Sequence, residues 1–517
     1  MTTQTHPAAA GGAPEPEGID RELILLSSVV VLGTIMSILD TTIVNVALDA
    51  LGHDLHGSLA SVQWVATGYL LSLSMVIPLT GWGVERFGPR RLWMGSVVLF
   101  LVGSALSGMA WSMTTLIIFR VLQGIGGGMI MPVGQTILAS AAGPRRMGRV
   151  MSVVGVPMML GPILGPVLGG VLVQGASWRW IFYVNIPIGI AALILAARIL
   201  PKQEIDERHP LDFLGLLLLS PGLAILVYGL SEATTGGGFG SSRTLAGIGV
   251  GLALVVAFLV RSAGLKAGAL LDLSLFRDRA FTAGAATSFM VGVVLFGTMI
   301  LLPLYYQVVR GEGAANAGLL MTPQGVGTAA MMPIAGRLTD RLGAGKVVPF
   351  GLIMLILGTV AYAEVGATTS YTLLAVSLLV RGVGMGFVMM PAMAAAYSRL
   401  DRSAVPRATT SLNIIQRVGG SIGTALMAVL LQRNITHNLP LPAGRSGGFG
   451  ALGTIPPGVR TQVAPALAHA FAQTYWLSLV LTFVVFVPAF LLPMRAVHLE
   501  VTPGNAVPRG HPVGEAI

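Results

Sequence analysis

The segment Gly81-Trp82-Gly83-Val84-Glu85-Arg86-Phe87-Gly88 returns later in the chain as Gly336-Arg337-Leu338-Thr339-Asp340-Arg341-Leu342-Gly343. Both copies read Gly, three residues, acid, Arg, one residue, Gly. Both run on into basic residues, Arg90 and Arg91 in the first and Lys346 in the second. Each follows an apolar run long enough to cross a bilayer. Such duplication marks an internal repeat, the usual construction of secondary transporters, whose site lies at the repeat interface near the midplane. A carboxylate and a guanidinium at helix ends can lock the inner face of a bundle and be broken when it opens. An ordinary solvated turn is the alternative reading, and the second copy argues against it. The lock residues on this reading are Gly81, Glu85, Arg86, Gly88 and Arg90, with Gly336, Asp340, Arg341 and Gly343.

Outward from these loops, the chain alternates apolar runs and short polar connections. A helix needs about 20 apolar residues to cross the hydrocarbon core. Fourteen stretches qualify, near 23–48, 60–82, 92–110, 114–141, 150–174, 178–200, 211–230, 244–262, 280–308, 316–336, 347–366, 371–397, 408–431 and 474–494. With the N-terminus inside, the inner segments carry 22 of the 31 Lys and Arg, the outer segments 6, and the spans the other three. That bias orients both termini to the cytoplasm. Setting aside spans 7 and 8 leaves six plus six. The expected architecture is therefore all-α and membrane-integral: two six-helix bundles related by a pseudo-two-fold repeat, with an inserted hairpin. The expected divisions are a disordered tail at 1–21, an N-terminal bundle at 22–200, a linker with the hairpin at 201–278, a C-terminal bundle at 279–495 with an extracellular loop at 432–473, and a cytoplasmic tail at 496–517.

Composition agrees. Of 517 residues, 54% are hydrophobic and only 10% charged, against about 25% charged in a soluble domain. Mean hydropathy is +0.80, so lipid is the natural solvent. The 68 glycines and 30 prolines suit close helix contacts and kinks in a bilayer. The net charge of +10 sits in short loops and forms no basic face or recognition motif, so nucleic acid is not an expected partner. Cysteine is absent, which removes disulfides, thiol catalysis and zinc–thiolate sites. No phosphate-cradling Gly-x4-Gly-Lys-Ser/Thr loop and no His-Glu-x-x-His occurs, so neither an ATP-driven pump nor an enzyme is expected, and no metal or cofactor. The apolar run after residue 20 is too long for a signal-peptide core.

Several segments resemble the major facilitator superfamily, and within it the 14-span drug:proton antiporter branch of the EmrB/QacA type. The two acid–Arg loops resemble the superfamily's motif A, the first departing from it with Glu85 and Pro89. Leu39-Asp40-Thr41-Thr42-Ile43-Val44-Asn45-Val46-Ala47-Leu48 is similar to motif D1. Arg120-Val121-Leu122-Gln123-Gly124 resembles motif B, whose arginine is associated with proton transfer. Gly161-Pro162-Ile163-Leu164-Gly165-Pro166-Val167-Leu168-Gly169-Gly170 resembles motif C, the antiporter signature, and Trp178 to Pro187 also looks like this branch. The resemblance implies proton-driven export of small amphipathic or cationic compounds by alternating access across the cytoplasmic membrane, with the proton gradient as energy source.

Asp40 is the one carboxylate deep inside an expected span. A charge there costs about 2.5–3.5 kcal/mol on insertion scales and is normally functional. Asp40 and Arg120 sit at roughly similar depths, about 13 and 9 Å from the outer surface at 1.5 Å per residue. They can therefore meet, either as a structural ion pair or as one that a proton breaks. Gly161, Gly165 and Gly169 recur every four residues and present one smooth face for a partner helix. Arg381 and Arg417 have no evident acidic partner. Backbone carbonyls, water, substrate or Asp40 are all open to them. Gln123, Asn413, Gln416 and Tyr305 are further candidates for a substrate cavity. Met129, Met131, Met385, Met389, Met390 and Met393, on the fourth and twelfth spans, suit an adaptable pocket, although core filling explains them better. A multidrug pump and a dedicated exporter of one metabolite, antibiotic, siderophore or lipid share this pattern. The expected protein acts as a monomer in the bilayer, with protons and a small molecule as its ligands.

Overall fold

The structure is a computed structural model and describes residues 21–143, 146–202, 210–235, 238–265, 269–439 and 457–494. The expected tails and the middle of the 432–473 loop lie outside the described residues. Within them the chain is helical, with no strand. The helices are α1 (Arg21–Asp54), α2 (Leu59–Val76), α3 (Leu79–Phe87), α4 (Pro89–Gly108), α5 (Met113–Ala142), α6 (Met147–Gly175), α7 (Trp180–Tyr183), α8 (Asn185–Ile199), α9 (Phe213–Thr235), α10 (Ser242–Gly264), α11 (Arg279–Leu304), α12 (Ala314–Leu320), α13 (Thr322–Leu342), α14 (Ala344–Ala363), α15 (Tyr371–Tyr397), α16 (Val405–Asn438) and α17 (Pro457–Ala489).

Eleven of these are long and apolar enough to cross a membrane, and twelve if the bent pair α2–α3 is one span. The expectation of fourteen exceeds that count. Helices do form at the two remaining places, α6 and α13, which fall outside it. The α2–α3 pair bends by 57° at its break, where Pro78 removes a backbone donor and cannot continue the ladder. The expected span at 316–336 is likewise divided at Met321, where Pro323 in the first turn of α13 has no amide to donate back to the preceding turn. The last span starts earlier than expected. Much of the 432–473 loop is helix: α16 runs on to Asn438 and α17 begins at Pro457. Leu467, Ala468, Phe471 and Tyr475 form one buried stripe on α17 at the i, i+4, i+8 spacing of an amphipathic helix.

Helix packing repeats along the chain. α1 packs on α5, α6 and α8; α11 packs on α15, α16 and α17. α5 also packs on α2 and α4, as α15 does on α13 and α14. α9 and α10 pair with each other, and α9 lies against α2 and α16. Two seams join the first set to the second: α6 against α13 and α15, and α16 against α3 and α5. Large apolar side chains such as Leu214, Val260, Leu357, Phe483 and Val487 are exposed on the outside, as a lipid-facing surface requires.

Gly88 and Gly343 close α3 and α13 in the same left-handed conformation, with φ 79°, ψ 150° and φ 85°, ψ 149°. Side-chain-bearing residues avoid that region, which explains the shared glycine at the end of both loop copies.

Candidate functional site

Asp40 lies on α1 with no exposed surface, and Arg120 on α5 is 1% exposed. Arg120 Nη1 donates to Asp40 Oδ2 at 2.6 Å. Two amides complete the carboxylate's shell: Gln123 Nε2 donates to Oδ1 at 2.9 Å and Asn185 Nδ2 at 3.1 Å. Arg120 also donates to Gln123 Oε1 at 2.8 Å and from Nε to the Val65 carbonyl at 3.4 Å. Its guanidinium lies 4.1 Å from the ring centre of Tyr69, a cation–π contact. A buried ion pair survives only when such extra hydrogen bonds satisfy the remaining donors and lone pairs. The carboxylate, guanidinium, both amides and the tyrosine come from α1, α5, α8 and α2. Asn185 was not singled out in the sequence. Its signal was an amide in an otherwise apolar span, and only packing shows that it faces Asp40.

α6 lies against α1 beside this cluster. A Cβ built on Gly161 would strike Ile38 Cγ2, and one on Gly165 would strike Thr42 Oγ1. Thr42 Oγ1 donates to the Gly161 carbonyl at 3.2 Å. A Cβ on Gly169 would stand 3.2 Å from the Ile43 carbonyl oxygen, whereas on Gly170 it would meet nothing within 4 Å among the described residues. The glycine face thus seats α1 on the turns flanking Asp40. The side chains of Pro162 and Pro166 lie outside the described set. Further along α6, Gly155 abuts Met332 and Met390 of α13 and α15, so α6 touches both the proton-binding candidate helix and the second set of helices.

The two acid–Arg loops, at one end of the helices, make equivalent contacts across the seams. Glu85 accepts two hydrogen bonds from Arg407, at 2.7 Å from Nε and 3.0 Å from Nη2. Asp340 accepts from the Gly148 amide at 2.8 Å and lies 3.1 Å from Arg149 Nε. The acids therefore do not pair with the arginines beside them in sequence. Among the described residues neither Arg86 nor Arg341 bonds a loop carboxylate; Arg341 is exposed. Arg90 donates to the Ala197 carbonyl on α8 at 2.6 Å. Gly81 and Gly336 stand in the seams, against Thr410 and against Ser152 and the Gly148 carbonyl. Thr80 and Thr410 share a hydrogen bond of 2.9 Å, and Asn413 donates to Gln135 Oε1 at 2.7 Å. These contacts close both seams at the loop end of the helices.

Asp340 lies beyond the expected span at 316–336, and burial pushes its carboxyl up to about 6 against the pull of the Gly148 amide and Arg149. An acid whose pKa rises on closure binds its proton more tightly when closed. Its contribution to closure is present in full below about 4, the ordinary carboxyl value, and is lost as pH rises through about 6. Lowering the pH from 7.5 to 5 is expected to move spin labels on the inner ends of α6 and α13 toward the closed separation. Asp340→Asn is expected to remove that response. A pH response that persists in the variant would place the titrating group elsewhere.

The other cavity candidates separate. Gln123 belongs to the Asp40 cluster, and Asn413 to the seam. Gln416 is buried on α16, its carbonyl against Gly292. Arg417, on the same helix, is half-buried, and its side chain makes no hydrogen bond among the described residues. Tyr305 is placed in packing at the opposite end from the loops, edge-to-face with Tyr306 and Phe471, with its hydroxyl donating to the Gly366 carbonyl at 2.8 Å. Arg381 is 2% exposed and donates from Nη2 to Thr298 Oγ1. It lines a pocket between α11, α13 and α15 with Met385 and Met389.

A family model described as Major Facilitator Superfamily matches residues 30–424. The chain is 39% identical over 501 residues to a multidrug resistance protein B homolog of Mycobacterium tuberculosis, covering 94% of this chain and 93% of that protein. It is 31% identical over 423 residues to the multidrug export protein EmrB of Haemophilus influenzae, covering 81% and 82%. Among solved structures it superposes on the human organic anion transporter MFSD10 with a TM-score of 0.59 at 15% identity, covering 90% of this chain and 100% of that one. The proton:xylose symporter XylE gives 0.58 at 14% identity, covering 90% and 96%. At these identities the superpositions speak to the fold alone.

Proposed function

The chain belongs to the Major Facilitator Superfamily, and from that premise we propose that it is a proton-coupled exporter of small amphipathic or cationic compounds, working by alternating access. The observation that carries the reading is Asp40, a buried carboxylate held by Arg120, Gln123 and Asn185 on the helix that the Gly161–Gly169 face grips. In this reading a proton taken by Asp40 neutralises it and releases Arg120. The loss of the pair unseats α1 against α6, and the motion reaches the inner seams through α6. The multidrug names of the homologues support export.

The finer architecture is part of the proposal. The membrane domain has fourteen spans, with α6 and α13 added to the twelve candidates and α9–α10 inserted between two six-helix bundles. On this reading the chain is a member of the EmrB/QacA-type branch. Both termini face the cytoplasm, supported by the Lys and Arg bias. The protein works as a monomer on the proton gradient, with no bound cofactor. Because the chain has no cysteine, single introduced cysteines at successive helix ends, labelled from one side of the membrane, test the topology directly.

The coupling test uses purified protein in liposomes with an imposed pH gradient and a lumenal pH dye. Ethidium and related lipophilic cations are added from outside. Substrate-dependent proton movement is the expected result. Silence from folded protein across the panel would sink proton-coupled export of such compounds and leave the dedicated exporter.

A further inference from the structure

The repeat places the same contact in both sets of helices, and in the second it is incomplete. In the first set, an arginine of α5 reaches a residue of α1: Arg120 to Asp40. In the second, an arginine of the corresponding helix α15 reaches the corresponding helix α11: Arg381 to Thr298. The arginine is present twice, and the carboxylate only once. No other acid replaces the missing charge among the described residues. Arg381 is 2% exposed, yet its Nε and Nη1 have no hydrogen-bond partner among the described residues. The titratable groups that interact with it are Tyr362 and Tyr475, both neutral phenols. Asp40 is already occupied by Arg120, Gln123 and Asn185. The acids of the second set, Glu312, Asp340, Glu364 and Asp401, lie at helix ends or in loops.

A buried guanidinium with free donors costs several kcal/mol, and such a group inside a span marks a binding site by default. The pocket it faces fits this use. Its volume is about 60 Å³, room for a carboxylate-sized group and not for a whole drug-sized molecule. Its apolar walls include Phe296, Met299, Met321, Met385 and Met389, and Thr298, Gln324 and Thr328 are its other polar side chains. Thioether and aromatic walls accept varied apolar bodies, while the guanidinium fork recognises planar oxyanions through paired donors.

We propose that this pocket binds the carboxylate of an amphipathic organic acid, the ligand supplying to Arg381 the negative group that Asp40 supplies to Arg120. The proposal rests on the exporter reading and extends its substrate class from cations to acids.

The probe is 4-(1-pyrenyl)butyrate, compared with 4-(1-pyrenyl)butanol, which has the same skeleton without the acid. Binding to the purified protein in neutral detergent is followed by energy transfer from its 7 tryptophans to pyrene. The acid is expected to bind more tightly than the alcohol. Arg381→Met is expected to weaken the acid at least ~30-fold, the low end of the cost of removing one partner of a buried charge pair, and to leave the alcohol unchanged. Arg381→Lys should restore part of the difference. Because Met removes an uncompensated charge, the ligand-free Arg381→Met protein should melt no lower than the parent. Equal binding of acid and alcohol to the parent, or an unchanged acid affinity in Arg381→Met, would overturn the proposal. Displacement of the acid by phosphatidylglycerol and not by phosphatidylcholine would assign the pocket to a lipid phosphate and overturn its assignment to cargo. The binding titration needs no proton gradient, so a failure of proton coupling and a failure of this site are read separately.

Discussion

Asp40→Asn is expected to reduce substrate-driven proton movement to the level of protein-free liposomes while leaving folded protein in the membrane. Asparagine is nearly the same size, so the packing among α1, α5 and α8 can persist. Its amide can still bond Gln123 and Asn185, which hold Oδ1 at 2.9 and 3.1 Å. It cannot carry a proton on and off, and it leaves Arg120 without its 2.6 Å counter-charge. Breaking a buried pair by removing one partner costs about 3–5 kcal/mol. Two conformers of a protein typically differ by a few kcal/mol. A single proton on Asp40 is therefore large enough to change which conformer is populated, and a permanently neutral residue freezes that choice. Asp40→Glu keeps the titrating group and should retain part of the flux. Full coupled flux in Asp40→Asn would remove this residue from the cycle and make Asp340, at the inner seam, the next acid to test.

Gly165→Leu is expected to abolish transport without loss of protein from the membrane. Even a Cβ at this position would overlap Thr42 Oγ1, so a leucine forces α6 away from α1 two residues after Asp40. Close approach of membrane helices depends on such small residues, and overpacking of a filled contact costs about 1–3 kcal/mol before any loss of register. The neighbouring motif glycine supplies the control. A Cβ on Gly170 meets nothing within 4 Å among the described residues, so Gly170→Leu is expected to export normally. Equal damage from both substitutions would mean that the glycines act through helix flexibility and not through the α1 contact. Normal export by Gly165→Leu would show that the tight seat on α1 plays no part in the cycle.

The residues of the candidate site differ in how far they can be read from the chain. Asp40 was legible because a carboxylate inside a 26-residue apolar stretch is expensive, and rarity alone made it conspicuous. Arg120, Gln123 and the motif glycines were legible through their motifs and spacing. Asn185 was not, because an amide in a span carries no sign of which way its helix face turns. The loop acids were recognised, and their partners were not. Glu85 and Arg407 are separated by 322 positions, and Asp340 and Arg149 by 191. No local rule links them, since nearest neighbours in sequence supplied an equally plausible arginine to each. Tyr305 looked like a cavity residue and belongs to packing at the opposite end from the loops, because its hydroxyl finds the Gly366 carbonyl.

Lipid as solvent, the rough positions of most apolar helices, the internal repeat and the shortage of buried charge were legible in the sequence alone, although the breaks at Pro78 and Met321 and the early start of α17 were not. Each is a property of a window of residues, and a bilayer forces every such window to satisfy its own backbone as a helix. The tertiary structure decided how those helices rotate and cross. That rotation joins Asn185 to Asp40, carries the inner ion pairs across the seams between the two sets of helices, and leaves Arg381 facing a pocket without an acid. Such facts depend on side chains brought together from distant windows, and in a membrane the helix faces are chosen by small-residue contacts and polar pairs, which the one-dimensional pattern does not orient.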